Sequence, residues 1–85
     1  MRHARPEDLD RLEPLLAQLR ALPGLTEKSR GTFYRKSRAF LHFHEDPAGL
    51  FADLREAGGN EFERLDVTEE AGRARLLELA RGRLG

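Results

Sequence analysis

Hydrophobic residues recur at helical spacing at both ends of the chain. Six leucines near the N-terminus, most of them three or four residues apart, form one face of a predicted helix from Pro6 to Leu22. Pro14 interrupts this segment, which is therefore either one kinked helix or a short turn followed by a helix from about Pro14. Near the C-terminus, Thr68 and the two glutamates after it predict the start of a second helix, which continues to Leu84.

Between these helices the pattern changes to short, aromatic-rich segments with a period of two. It predicts strands at residues 32–34, 39–45, 50–55 and 61–67, with a candidate hairpin turn at 35–38 and a stronger turn signal at Asp46-Pro-Ala-Gly49. Consecutive strands joined by short turns form an antiparallel meander. We therefore expect an α+β fold, in which an antiparallel sheet of three to four strands is flanked by an N-terminal and a C-terminal helix on one of its faces.

The length of 85 residues predicts one domain spanning residues 1–85, with one modest core. A domain of this size leaves little room for an enclosed pocket, so a functional site is expected on a surface or in a groove. The shared periodicity of helices and strands predicts the following core: Leu12, Leu16, Leu19, Leu41, Phe43, Leu50, Leu54, Leu77 and Leu84.

Composition excludes several classes of site. The chain has no cysteine, so it can form neither a disulfide framework nor a thiolate metal site. We find no apolar run of membrane-spanning length and no signal-peptide pattern, which predicts a cytoplasmic protein without a membrane partner. Ser29 and Ser37 lack a nucleophile-elbow motif, and the chain has no phosphate-binding glycine loop. An enzyme is therefore the least supported class, and no cofactor is expected.

One candidate metal site lies in the most aromatic strand. His42 and His44 are two residues apart, so both imidazoles point to the same face of a strand, and Asp46 or an acid distant in the sequence could complete a site. The alternative is structural: Leu41 and Phe43 face the core, and the two histidines simply line the solvated face.

Charge is segregated along the chain although basic and acidic residues balance at 15 each. Residues 28–38 contain no acid and interleave two aromatic residues with five cations, a pattern found on nucleic-acid-binding surfaces. These candidate DNA-binding residues are Lys28, Arg30, Arg35, Lys36 and Arg38. The alternative is that the basic segment lies beside the acidic residues of 45–70 and is neutralised within the molecule.

The chain resembles the small MmcQ/YjbR-like proteins over residues 9–54. Two motifs carry the resemblance: Leu22-Pro-Gly-Leu-Thr-Glu-Lys and Gly31-Thr-Phe-Tyr-Arg-Lys-Ser-Arg-Ala-Phe-Leu-His-Phe. The string from Phe40 to Asp53 also resembles bacterial proteins of about this length. The resemblance implies a frataxin-type α+β fold and a DNA-binding role in which hairpin wings contact the duplex, here residues 33–39. Frataxin-like iron binding would need an acidic ridge on the first helix. The acids there, which could equally be ordinary surface residues, are Glu7, Asp8, Asp10 and Glu13.

The sequence thus favours a small cytoplasmic binding domain that acts through a sheet face or a hairpin. The leading partner is another protein or a second copy of this chain, because a small sheet with an open face and an unpaired edge favours association. Weak DNA binding by the basic hairpin is the alternative, and metal binding by His42 and His44 is the third hypothesis.

Overall fold

The computed structural model describes residues 2–84, which form six strands and three helices. Three of the strands and all three helices are longer than four residues. The elements are β1 (Arg2–His3), α1 (Pro6–Arg11), α2 (Glu13–Arg20), β2 (Thr26–Ser29), β3 (Thr32–Arg35), β4 (Arg38–Asp46), β5 (Gly49–Arg55), β6 (Phe62–Asp66) and α3 (Glu70–Leu84). The α+β class and the helices at both ends are confirmed.

The sheet is antiparallel, in the order β2-β3-β4-β5-β6. Strand β4 is longer than β3, and β1 pairs with the part of β4 that extends beyond it, so that His3 lies opposite His44. The sheet has more strands than the three to four that were predicted, and the strands that the prediction missed are β1 and β2. Strand β1 has only two residues, and β2 consists of polar residues that are mostly exposed, so neither shows a hydrophobic alternation.

The N-terminal segment forms two helices rather than one kinked helix. Helix α1 ends at Arg11, Leu12 leaves the helical conformation with ψ near 0°, and Pro14 lies in the first turn of α2. A proline is tolerated there because the first-turn N–H groups have no partner within the helix. At the other end α3 begins at Glu70, and the hydroxyl of Thr68 instead accepts a hydrogen bond from the Leu50 N–H at 2.9 Å.

The core lies between the helices and one face of the sheet. Strand pairing places Leu41 opposite Leu54 and Phe43 opposite Ala52, and all four are buried. Seven of the nine predicted core residues are buried. The other two, Leu77 and Leu84, are only partly buried against the core. On α3 the buried positions are instead Leu76 and Ala80, which are four residues apart and therefore share a face.

The other sheet face, here called the outer face, carries the alternate residues of β4, β5 and β6. Its residues are polar or aromatic and mostly part-exposed, since the helices pack on the core side. They include His42, His44, Phe51, Asp53, Arg55, Phe62 and Arg64. Within residues 2–84, no helix is both long enough and apolar enough to cross a lipid bilayer.

Candidate functional site

Two histidines and one aspartate converge on the outer face. His42 lies directly opposite Asp53 in the β4–β5 register, and His44 follows two residues later on the same face. The Nδ1 of His42 is 2.9 Å from the Nε2 of His44, which lies 3.1 Å from Oδ2 of Asp53. One potential ligand atom from each residue lies within 4.8 Å of the other two. Such a cluster can hold a metal ion.

The third histidine of the chain flanks this cluster. Strand β1 places the ring of His3 on that of His44, with the ring centroids 5.2 Å apart, and 6.4 Å from that of His42. All three histidines of the chain therefore lie together. Sequence reasoning did not place His3, because a two-residue strand gives no periodic signal.

The charge states of the cluster suit a cationic ligand. Hydrogen bonds from Arg64 to both carboxylate oxygens of Asp53, each 2.8 Å, lower the pKa of this carboxyl, so it is ionised at neutral pH. Burial, and next the neighbouring His44, lower the pKa of His42. Its imidazole is therefore neutral at pH 7, which is the form that binds metals.

The distances fit a transition metal with nitrogen and oxygen ligands. Zinc binds imidazole and carboxylate atoms at about 2.0–2.2 Å, so tetrahedral ligand atoms lie about 3.4 Å from one another. The observed separations of 2.9 and 3.1 Å are close to this value, and the ligand atoms of His42 and Asp53 lie within 4.8 Å, so side-chain shifts would bring all three atoms to ligand distance. Arg64 competes for Asp53, but its side chain is 53% exposed and can turn into solvent. Three protein ligands would leave one tetrahedral position open.

Asp46, the carboxylate chosen from sequence, does not belong to this cluster. Strand β4 ends at Asp46, whose carboxylate accepts a hydrogen bond from the N–H of Ala48 at 2.8 Å and so stabilises the turn. The carboxylate beside the histidines comes from the next strand. As expected, Leu41 and Phe43 face the core while His42 and His44 lie on the outer face.

The five basic residues of 28–38 do not form one surface. Lys28 lies over the ring of Tyr34, 5.3 Å from its centroid. Arg30 forms ion pairs of 2.8 Å with Asp10 and Glu13. The acids that neutralise Arg30 therefore belong to the helices and not to residues 45–70. The remaining three, Arg35, Lys36 and Arg38, line a cavity at the far end of the hairpin.

Three of the four acids of the N-terminal helices, Asp8, Asp10 and Glu13, have cationic or capping partners. Asp8 accepts hydrogen bonds from the Arg5 N–H at 3.0 Å and from Arg11 at 2.6 Å. Asp10 and Glu13 pair with Arg30, which lies in the β2–β3 turn. These contacts explain the three carboxylates as parts of the fold.

No family model, no curated protein and no solved structure matches this chain. The resemblance to the MmcQ/YjbR-like proteins and the DNA-binding role that it implies therefore stay predictions.

Proposed function

We propose that this protein is a binding module that holds a divalent transition metal ion on its outer face through His42, His44 and Asp53. The observation that carries the proposal is the convergence of two imidazoles and one carboxylate, with one ligand atom of each within 4.8 Å of the others. Imidazole nitrogen and carboxylate oxygen together favour zinc or nickel over calcium or magnesium, which prefer oxygen alone.

The alternative is an ordinary solvated sheet face with a salt bridge. On this alternative Asp53 and Arg64 form a surface ion pair, and the His42–His44 and His44–Asp53 contacts are polar contacts within the same face. Asp53 is only 8% exposed, and the hydrogen bonds from Arg64 already offset the desolvation of its carboxylate. Hydrophobic packing on the core side needs none of these residues, so the gathering of two imidazoles and one carboxylate on the outer face is the feature that favours a bound cation.

Calorimetric titration of the protein with zinc and with nickel tests the proposal. We expect one site per chain in the wild type, and no measurable binding in His42→Ala or His44→Ala. Arg64→Gln is the informative control, since it removes the competing cation from Asp53 and should bind at least as tightly as the wild type. An absence of heat in the wild type, or equal binding by both histidine variants, would overturn the proposal.

The open coordination position also supports the prediction that a second copy of the chain is a partner. A side chain of another copy could occupy that position, and Phe51 and Phe62 are partly exposed on the same face. Light scattering should then show a dimer with zinc and a monomer without it, and His42→Ala should stay monomeric in both. A wild type that stays monomeric with saturating zinc would show that water or solutes fill the position and would refute dimerisation at this site.

A further inference from the structure

Three parts of the chain meet at one end of the sheet. In an antiparallel meander alternate turns lie at the same end, which brings the β3–β4 turn beside the β5–β6 loop, and the C-terminus of α3 lies next to both. They enclose a cavity of about 300 Å³. Five cationic side chains and one carboxylate, that of Glu56, line it. The cations are Arg35, Lys36, Arg38, Arg55 and Arg83.

Two of these guanidinium groups are held by neutral acceptors. Arg35 donates to the carbonyl oxygens of Arg83 and Leu84, both at 3.1 Å, and so caps the C-terminus of α3. Arg38 donates to the side-chain oxygen of Asn60. These contacts fix the guanidinium groups without cancelling their charge, apart from the partial negative charge of about one half at the helix end.

A third guanidinium is held in the same way. Arg55 donates to the carbonyl oxygen of Ala39 at 2.6 Å and lies over the ring of Phe62, 4.7 Å from its centroid. Only Arg83 among the lining cations forms a salt bridge in the described residues, with Glu63. The cavity therefore keeps a net positive charge with its donors already positioned.

The turn that presents Lys36 is conformationally costly. Lys36 and Ser37 form a two-residue hairpin loop with φ of 51° and 68°, where asparagine and glycine are the usual residues. Strain of this kind concentrates at functional sites. Here the unfavourable loop places an exposed lysine at the rim of the cationic cavity.

We propose that this cavity binds the phosphate group of a small phosphorylated ligand. Guanidinium groups match phosphate oxygens with two parallel hydrogen bonds, and several arginines around one concavity favour a compact, multiply charged anion. The volume is that of a small-molecule site at the low end of the usual range. The cations line a concave space between two loops, whereas duplex DNA would need them along an open wing. This site is independent of the proposed metal cluster.

Amide NMR titrations with inorganic phosphate and pyrophosphate, in buffer that contains neither zinc nor competing anions, test this proposal. Saturable shifts should be confined to residues 35–38, 55–60 and 83–84, with pyrophosphate binding more tightly than phosphate. Arg38→Gln and Lys36→Asn should each weaken pyrophosphate binding about tenfold, because each removes a charged donor. Both positions are exposed, and asparagine suits a positive φ, so both variants should fold.

Arg75→Gln is the matched control, because it removes one exposed positive charge on α3 outside the cavity. It should change pyrophosphate affinity by less than about twofold at moderate salt, where distant surface charges are screened. An equal loss in the control would overturn the proposal, and so would the absence of saturable shifts in the wild type. A duplex DNA titration that shifts residues 28–38 while pyrophosphate shifts none would replace the proposal with a nucleic-acid surface.

Discussion

A glycine on α3 provides a sharp test of the packing of this helix against the end of β6. A Cβ atom added to Gly72 would lie 2.0 Å from the carbonyl oxygen of Asp66 and 3.4 Å from the Cα of Val67. In an open helix, replacing glycine with alanine stabilises a protein by about 1 kcal/mol. At Gly72 the backbone after β6 must move by about 1 Å, and overpacking typically costs about 1–3 kcal/mol. Since the helix-propensity gain offsets part of this cost, we expect Gly72→Ala to lower the free energy of unfolding by up to about 2 kcal/mol, as measured by urea denaturation.

Gly82 on the same helix is the matched control. It has no atom within 4 Å of an added Cβ, so Gly82→Ala should stabilise the protein, by up to about 1 kcal/mol and less if the helix end frays. The two variants make the same chemical change with opposite expected signs. If both stabilise the protein equally, α3 does not approach the end of β6 so closely.

Three further outcomes test other parts of the fold. Phe43→Ala should lower the free energy of unfolding by about 3–5 kcal/mol in chemical denaturation, because its ring is buried, and a loss below about 0.5 kcal/mol contradicts this. Hydrogen bonds from Arg20 lower the pKa of Glu27, so the contribution of this pair to stability should be fully present above pH 4.5 and be lost as the pH drops through the lowered pKa. The urea midpoint should therefore fall less steeply with decreasing pH in Arg20→Gln than in the wild type, and an unchanged fall would refute the assignment. Ser37→Gly should raise the melting temperature, because glycine adopts the φ of 68° without strain, and a decrease would contradict the turn geometry.

The sequence predicted those elements whose side chains alternate between core and solvent. Strands β3 to β6 each contribute at least one buried hydrophobic residue, so the period of two was visible. Strand β2 lies at the sheet edge with polar side chains and contributes nothing to the core. Its backbone pairing is local to the β2–β3 hairpin, and neither periodicity nor composition reports such pairing.

The sequence predicted the two histidines of the candidate metal cluster but not its carboxylate. The spacing of His42 and His44 placed both on one face, and it left the carboxylate to Asp46 or to a distant acid that was not named; the structure supplies it from the next strand, as Asp53. The β4–β5 connection is a two-residue turn, and counting outward from it pairs His42 with Asp53. That signal was present in the sequence. The cationic cavity was not accessible, because Arg55 and Arg83 meet Arg35 only after the sheet and α3 have packed together.

Local features that oppose folding are not distributed evenly over this molecule. In the described residues every buried side-chain nitrogen or oxygen has a hydrogen-bond partner, so the core is locally consistent. Two unfavourable features lie elsewhere: the strained Lys36-Ser37 turn and the gathered guanidinium groups of one cavity. Neither adds to hydrophobic packing, and both present positive charge at the same end of the sheet. Local features that oppose folding persist where binding requires them, and their position supports the cationic cavity as a binding site.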